Sequence, residues 1–438
     1  MTAARVGRRS RAVSQWRWLI PGMGVKRYVL VFALGIVILL FGFYQVARIG
    51  PTSLFWTNWA LRMRDLQLPG MPMWGPGFLM AVVGVGLAWA GVIGLTRSVV
   101  RGVGASPDES LDKLFRYRAL SRGPRIVAIG GGTGLSNLLS GLKTYSANIT
   151  AIVAVTDDGG SSGRLRRSLG MPAPGDLTDC YAALSDSPDL ARLLLHRFDR
   201  GEELKGHTFG NLLLATLSEE RGDFAEAALT VNEILNVRGR VVPAATRAAT
   251  LVAEIEGGDR VEGESTLRDR ENRAPILRMH LEPEDVPAMP EAVRAIREAE
   301  LIVLGPGSLY TSVVPPLLVP GLRDAIRAAR GRVVYVVNIM TEPGETDGFT
   351  ASEHARVVAE HLGRRPDVVL LNAAEVASGT IARYRMEGAG LVEHDLAALE
   401  AAGMSSRRAR LTRGGGGQHD PRALALALVR LVLAGKAA

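Results

Sequence analysis

Two glycine-rich segments have the composition of phosphate-binding loops. GGGTGLS, residues 130–136, and LGPGSLYTS, residues 304–312, each follow an apolar run and precede a helical pattern. Glycine lets backbone N–H groups approach an anion, and the N-terminus of the following helix adds donors and the positive end of its dipole. The first segment matches neither a full dinucleotide-binding fingerprint nor a Walker loop. We therefore expect an anion site of unassigned nucleotide class, the alternative being tight strand-to-helix turns alone. The candidate residues are Gly131, Gly132, Thr133, Gly134, Gly307 and Ser308.

An acidic loop, TDDGGSSGRL at residues 156–165, follows the second apolar run. Asp157 and Asp158 are candidates to accept ribose hydroxyls or to hold Mg²⁺ against phosphates, and Asp158 is the candidate metal ligand. Arg164 is a candidate partner for a phosphate group. The alternative for either carboxylate is a solvated turn in which it bonds its own backbone.

Four further polar residues stand at predicted loop or helix-start positions. Asp176 in PAPGD is a candidate ligand or, equally, a helix N-cap. His207 and Asn211 in HTFGN are candidates if that loop enters the ligand crevice, although the motif also contains a possible helix cap. Asn338 follows another apolar run and is expected at a strand end.

The sequence excludes several other chemistries. Its single cysteine, Cys180, rules out an intramolecular disulfide and cysteine-rich metal sites, and we expect it to be a small buried apolar residue. The seven histidines include no H-x-x-x-H pair on one helix face, so no zinc site is indicated.

The elements that must position these residues alternate between strands and helices. Five β-branched runs, at residues 125–130, 148–155, 299–305, 331–338 and 366–372, lack polar alternation and predict strands buried on both faces. Helical periodicity at residues 135–143, 207–219, 289–299 and 352–363 lies between them. The fold class predicted is α/β, a Rossmann-like doubly wound and mostly parallel sheet, with a small insertion near residues 254–284.

The N-terminal quarter predicts a membrane anchor. Residues 28–47 and 77–96 are uncharged and about the 20 residues long that a crossing needs, so we expect a two-helix transmembrane hairpin within residues 1–101. Seven basic residues before the first run, against three arginines between the runs, predict that both termini and the large domain are cytoplasmic. A cleaved signal peptide is the alternative. Residues 102–124 then form a linker to the domain at residues 125–438. Because the basic run before the first apolar stretch accounts for much of the net charge of +8, we expect no nucleic-acid partner.

Five ordered motifs resemble the gluconeogenesis factor (YvcK-like) family, which is related to the 2-phospho-L-lactate transferase (CofD-like) proteins. They are GGGTGLS, TDDGGSSGRL with PAPGD, HTFGNLL, LGPGSLYTS and MTEPGETDG. The resemblance implies a domain that binds a nucleotide sugar such as UDP-N-acetylglucosamine, with a role in cell shape and envelope-precursor supply. It implies that Tyr310, Thr311 and Tyr384 join the glycine loops, the Asp157–Asp158 pair, His207 and Asn211 around the ligand. This chain departs from the family in two places. The resemblance implies that the usual relatives lack the hairpin, and Gln418 stands where a basic residue is common in the family.

Two functions from different classes remain open. The first is a nucleotide-sugar-binding regulator at the membrane that acts on envelope-synthesis proteins. The second is a Mg²⁺-dependent transferase of the 2-phospho-L-lactate transferase type. The segment GPGSLYTS favours the regulator, because the transferase branch has an Asn-Pro after Gly-Pro-Ser. Mg²⁺ is the one cofactor expected in either case, and the chain is expected to self-associate.

Overall fold

The computed structural model describes residues 25–47, 75–102, 118–270 and 273–436, in two compact units divided between Arg116 and Tyr117. The basic N-terminal run, the segment at residues 48–74 and most of the predicted linker lie outside the described residues.

The N-terminal unit contains two antiparallel helices, α1 (Val25–Ala47) and α2 (Gly75–Gly102). Their backbones touch: a Cβ added to Gly35 would lie 2.4 Å from the amide nitrogen of Ala88, and one added to Gly84 would lie 2.4 Å from that of Leu39. Small residues allow such close approach between helices in lipid. The outward side chains are large and apolar, among them Val29, Leu30, Phe32, Leu34, Val37, Leu40, Phe78, Leu79, Val82, Val85 and Trp89.

One helix in the described residues is long and apolar enough to cross a membrane, at Gly75–Leu95. The apolar part of α1, Arg27–Phe43, is shorter than 18 residues. At about 1.5 Å per residue it covers less than the ~30 Å of a hydrocarbon core. The two-helix transmembrane hairpin expected at residues 28–47 and 77–96 is therefore not supported.

A seven-stranded parallel sheet forms the centre of the C-terminal unit, in the order β10-β9-β8-β7-β1-β2-β3. Its strands are β1 (Ile126–Gly130), β2 (Ile149–Val153), β3 (Arg240–Pro243), β7 (Leu301–Leu304), β8 (Arg332–Val336), β9 (Val368–Asn372) and β10 (Ser406–Ala409). The mostly parallel α/β prediction is confirmed. The two strands that the apolar pattern missed, β3 and β10, are the short edge strands. The sequence of β10 is SRRA, and none of its four residues is buried.

Helices cover both faces of this sheet. Each of the four predicted helical segments forms a helix: α3 (Gly132–Leu142), α7 (Phe209–Arg221), α10 (Pro290–Glu298) and α13 (Ala351–Leu362). The start of α13 is fixed by a capping box between Thr350 and Glu353. The others are α4 (Gly160–Leu169), α5 (Gly175–Leu184), α6 (Pro188–Leu194), α8 (Phe224–Leu235), α9 (Glu264–Asp269), α11 (Val314–Leu318), α12 (Pro320–Arg327), α14 (Ser378–Met386), α15 (Leu396–Ala401) and α16 (Pro421–Lys436).

The predicted insertion is a three-stranded antiparallel sheet in the order β5-β4-β6. It consists of β4 (Thr250–Ile255), β5 (Arg260–Glu262) and β6 (Ile276–Glu282). The short helix α9 follows β5 and carries Glu264 to the hydroxyl of Thr156, at the carboxyl end of β2. The insertion therefore closes one side of the acidic loop.

Candidate functional site

The order of strands reverses between β1 and β7. From β1 the chain proceeds outward through β2 and β3, and it then returns to place β7 on the other side of β1. In open α/β sheets a ligand binds outside the carboxyl ends of the strands at such a reversal. The two glycine-rich loops are the segments that leave β1 and β7 at this point.

The two loops are in direct contact. Gly134 and Gly132 require glycine for two different structural reasons. A Cβ on Gly134 would lie 2.4 Å from the carbonyl oxygen of Pro306, so the loops could not approach with a side chain at this position. Gly132, the first residue of α3, has φ of +60°, a conformation that glycine adopts without strain. Around it there is space, with the Ser312 hydroxyl 3.9 Å from a built Cβ.

A cavity of about 510 Å³ opens over these loops. Its volume lies within the roughly 300–1,000 Å³ of small-molecule sites. Of the predicted residues it contains Gly131, Gly132, Thr133, Gly134, Gly307, Ser308, Asn338 and Tyr384. No lysine or arginine occurs among the described residues that line it. An anion in this cavity would be met by the N-terminus of α3 rather than by a cationic side chain.

Asp176 lies against the first glycine loop from the α5 side. Its carboxylate accepts a hydrogen bond from the Gly132 N–H, one of the four donors that a helix start leaves without an intrahelical partner. Burial is the main cause that raises the pKa of Asp176 to about 7, with the charge of Asp157 adding to it. The Asp176 carboxylate thus takes up one backbone N–H of the loop, and it lies behind the cavity wall.

Asn338 clamps the second glycine loop. Its Oδ1 accepts a hydrogen bond from the Gly307 N–H at 3.3 Å, and its Nδ2 donates to the Gly307 carbonyl at 2.9 Å. The amide therefore fixes the peptide that faces the cavity.

Tyr310 and Thr311 follow this loop but turn away from the cavity. The backbone N–H of Tyr310 and the hydroxyl of Thr311 donate to the Glu345 carboxylate at 3.1 and 3.0 Å. Burial, with the neighbouring Glu342, raises the pKa of Glu345 to about 7. Neither Tyr310 nor Thr311 lines the cavity, so as arranged they support the loop from behind.

The acidic pair is engaged with the protein itself. Asp157 accepts a hydrogen bond from the Gly159 N–H at 2.9 Å, the turn that was the alternative prediction. Oδ1 of Asp158 accepts from both the N–H and the hydroxyl of Ser265, at 2.9 and 2.8 Å. Throughout the described ranges no group of three or more His, Cys, Asp or Glu side chains is arranged to hold a metal ion. Oδ1 of Asp158 is therefore engaged by the insertion, and a role of Asp158 in holding Mg²⁺ against ligand phosphates stays a prediction.

The remaining predicted residues lie outside the cavity. Arg164 donates to the Lys205 carbonyl at 2.8 Å. Asn211 donates to the Ser161 hydroxyl at 3.0 Å, and that hydroxyl lies 2.9 Å from Nδ1 of His207. This buried network holds the start of α4 against α7.

Tyr384 joins the cavity from helix α14. None of the residues of α14 is buried, and Tyr384 packs with Ile381 on a small cluster of Ile339, Met340 and Val376 that is separate from the main core. The cavity edge formed by Tyr384 is therefore lightly attached to the domain.

Several cavity residues were not predicted from the sequence. They are Ser136, Asn137 and Ser140 on α3, with Ser312, Thr341, Glu342 and His419. Ser136 and Ser140 are spaced i, i+4 on the helix that begins at the glycine loop, so they share one helix face. This spacing could have predicted both residues. For His419 there was none: it comes from the other end of the domain, and burial lowers the pKa of its imidazole to about 4.

A second cavity, of about 480 Å³, lies at the opposite, amino ends of β1, β2 and β3. It contains none of the predicted residues.

The sequence profile of the family described as 2-phospho-L-lactate transferase CofD matches residues 126–412, most of the C-terminal unit. The chain belongs to this family. Among its relatives is a Bacillus subtilis protein named gluconeogenesis factor, 44% identical over 70% of this chain and 98% of its own length. A Deinococcus radiodurans protein provisionally given the same name is 49% identical over 94% of this chain and 89% of its own length.

A crystal structure of a Bacillus halodurans protein has the same fold as the C-terminal unit. It superposes with a TM-score of 0.68 at 43% identity, covering 70% of this chain and all of that protein. The Deinococcus alignment, at 94% of this chain, extends into the N-terminal unit, whereas that of the Bacillus subtilis relative covers 70%. The N-terminal unit, expected to be an addition to this chain, is therefore shared with some relatives.

Proposed function

We propose that this chain is a gluconeogenesis factor that acts by binding a nucleotide sugar, such as UDP-N-acetylglucosamine, and regulates cell shape and envelope-precursor supply. The observation that carries the proposal is the cavity of about 510 Å³ at the strand-order reversal, where two glycine loops meet at the start of α3. The names of the curated relatives support the words gluconeogenesis factor in this proposal.

The two regions of the cavity suit the two chemistries of such a ligand. The start of α3 offers backbone donors and a helix dipole to the diphosphate. Away from it, the cavity is lined by neutral polar groups of Ser136, Asn137, Ser140, Gln418 and His419, together with the ring of Tyr384. Amides, hydroxyls and an aromatic ring are groups that bind bases and sugars.

A transferase is the second candidate, because the family description names one. The acidic groups near the first loop are the observation in its favour: burial, together with the charge of Asp157, raises the pKa of Asp176 and of Asp179. Against it, the carboxylates of Asp157 and Asp158 already accept hydrogen bonds from the protein. We therefore place binding ahead of group transfer, with Mg²⁺ as a ligand-associated ion to be tested.

Calorimetry of the full chain in detergent tests the proposal. We expect UDP-N-acetylglucosamine to bind in a one-to-one ratio, with UDP weaker and uridine weakest. UDP loses the contacts of the hexose, and uridine also loses those of the diphosphate at the glycine loops. Titrations with and without Mg²⁺ measure the role of the ion. Absence of binding by any nucleotide sugar would refute the proposal, and release of free UDP on incubation with an acceptor would favour the transferase.

The N-terminal unit is proposed to attach the protein to the cytoplasmic membrane, with the C-terminal unit on the cytoplasmic side, close to envelope-synthesis proteins and self-associated. The apolar outward surface of α1 and α2 supports attachment. Cysteines introduced at Ser10, Ser53 and Ala105 test the orientation with an impermeant reagent in intact cells. Labelling at Ser53 alone indicates two crossings, labelling at Ser10 and Ser53 indicates one, and labelling at Ala105 would refute a cytoplasmic domain.

A further inference from the structure

The described lining of the cavity contains one carboxylate. Its negative charge would repel a diphosphate rather than attract it. Within the described lining, Glu342 is the only acidic residue, lysine and arginine do not occur, and His419 is neutral because burial lowers its imidazole pKa to about 4. A carboxylate beside a bound anion is repelled unless it faces a hydrogen-bond donor of the ligand. Hydroxyl groups are the donors that a nucleotide sugar supplies.

Glu342 is held in place by the second glycine loop. Nδ2 of Asn338 lies 3.4 Å from its Oε1. Burial raises the pKa of Glu342, and a hydrogen bond from the Ser308 hydroxyl opposes this by favouring the carboxylate. The backbone N–H of Glu342 donates to the Thr346 hydroxyl at 2.8 Å. Because a carboxylate offers about four acceptor positions, these contacts leave acceptor capacity for a ligand.

Glu342 stands next to the anion end of the cavity. The wall runs from Gly132 through Ser312 to Gly307, since a built Cβ on Gly132 lies 3.9 Å from Oγ of Ser312 and one on Gly307 lies 3.2 Å from its Cβ. Asn338 then joins Gly307 to Glu342. A group bound by Glu342 is therefore the part of the ligand attached directly to a phosphate, which in a nucleotide sugar is a sugar ring.

We infer that Glu342 is a specificity-determining residue that recognises a vicinal diol on a sugar ring of the ligand, each carboxylate oxygen accepting a hydrogen bond from one of two adjacent hydroxyls. This inference rests on the proposed function and adds a contact within the same cavity. Both the ribose, at its 2′ and 3′ positions, and the hexose, at its 3 and 4 positions, of UDP-N-acetylglucosamine carry such a diol on a ring that is joined to a phosphate. Because the ribose and the hexose offer the same diol chemistry, the ligand series below determines which ring contacts Glu342.

The test is a cycle that removes the carboxylate and the hydroxyls separately and together. The ligands are UDP-N-acetylglucosamine, its 2′-deoxyribose analogue and its 3-deoxyhexose analogue, titrated into the full chain in detergent. We expect Glu342→Gln to weaken binding of the parent ligand roughly 10–100-fold, the range for losing a charged hydrogen-bond partner. The deoxy analogue that lacks the contacted hydroxyl should lose little further affinity in this variant.

Two further variants separate this contact from a general effect. Glu375→Gln removes an exposed carboxylate outside the cavity and should leave every affinity unchanged. Glu342→Asp keeps the charge but withdraws it by one methylene, so it should weaken binding less than Glu342→Gln. If the glutamine variant does not fold, the aspartate variant takes its place in the test.

The outcomes separate this inference from the proposed function. If the wild-type chain binds no UDP-N-acetylglucosamine, the proposed function fails. If it binds, but the effects of deoxygenation and of the Glu342 variants simply add for both rings, the diol contact is refuted and the binding function stands. Non-additivity with the ribose analogue alone, or with the hexose analogue alone, supports the contact and assigns the ring.

Discussion

Replacing Gly132 with alanine separates the backbone role of a glycine from its role in ligand binding. With φ of +60° this residue is left-handed, which costs an alanine roughly 1–2 kcal/mol. Steric clash adds little, since the Ser312 hydroxyl at 3.9 Å is the one atom within 4 Å of a built Cβ. We expect the variant to fold and to melt about 2–8 °C lower, from a shift of ~2–4 °C per kcal/mol in a domain of this size class.

The same methyl group should impair binding more than stability. It projects beside the start of α3, where the backbone must come within hydrogen-bond distance of a phosphate. We expect the affinity for UDP-N-acetylglucosamine to fall about 10-fold or more, equivalent to ~1.4 kcal/mol. Calorimetry and thermal unfolding of the same preparation measure the two effects.

Gly170→Ala is the matched control. Gly170 ends α4 with φ of +66°, has no atom within 4 Å of a built Cβ, and does not line the cavity. It should lower the melting temperature by a similar amount without altering affinity. Equal affinities for Gly132→Ala and Gly170→Ala would refute the assignment of the first glycine loop to the ligand.

Three further predictions concern other parts of the site. Asp176 and Glu345 have pKa values raised to about 7 from 3.8 and 4.5, so the folded state holds extra protons between about pH 4 and 7 and stability falls as pH rises through that window. Asp176→Asn should therefore stabilise the chain more at pH 8 than at pH 5 in urea unfolding; an equal effect at both would contradict the raised pKa. Asn338→Ala should cost about 1–3 kcal/mol of unfolding free energy, because it leaves the Gly307 peptide groups without partners, and an unchanged urea midpoint would show that the clamp is dispensable. Tyr384→Ala should weaken nucleotide-sugar binding with little change in melting temperature, since α14 has no buried residue; a large loss of stability with unchanged affinity would reverse that assignment.

The sequence by itself determined the central sheet and the location of the glycine loops. Strands β1, β2, β7, β8 and β9 are buried on both faces, so each is a continuous apolar run that needs no partner to be recognised. The loops after β1 and β7 carry glycines for reasons that are local to the backbone, such as the positive φ of Gly132. These features follow from short stretches of chain.

Tertiary structure decided which polar residues share the cavity. Asp158 and Tyr384 were both candidate ligands in the sequence. The Asp158 carboxylate accepts a hydrogen bond from Ser265 of the insertion, whereas the Tyr384 side chain reaches the cavity from α14. Glu342 and His419 lie far from the first loop along the chain. They meet it only because β8 lies two positions from β1 in the sheet, across β7, and because α16 packs against α3. Side-chain partnerships of this kind depend on how elements pack, and no local pattern encodes them.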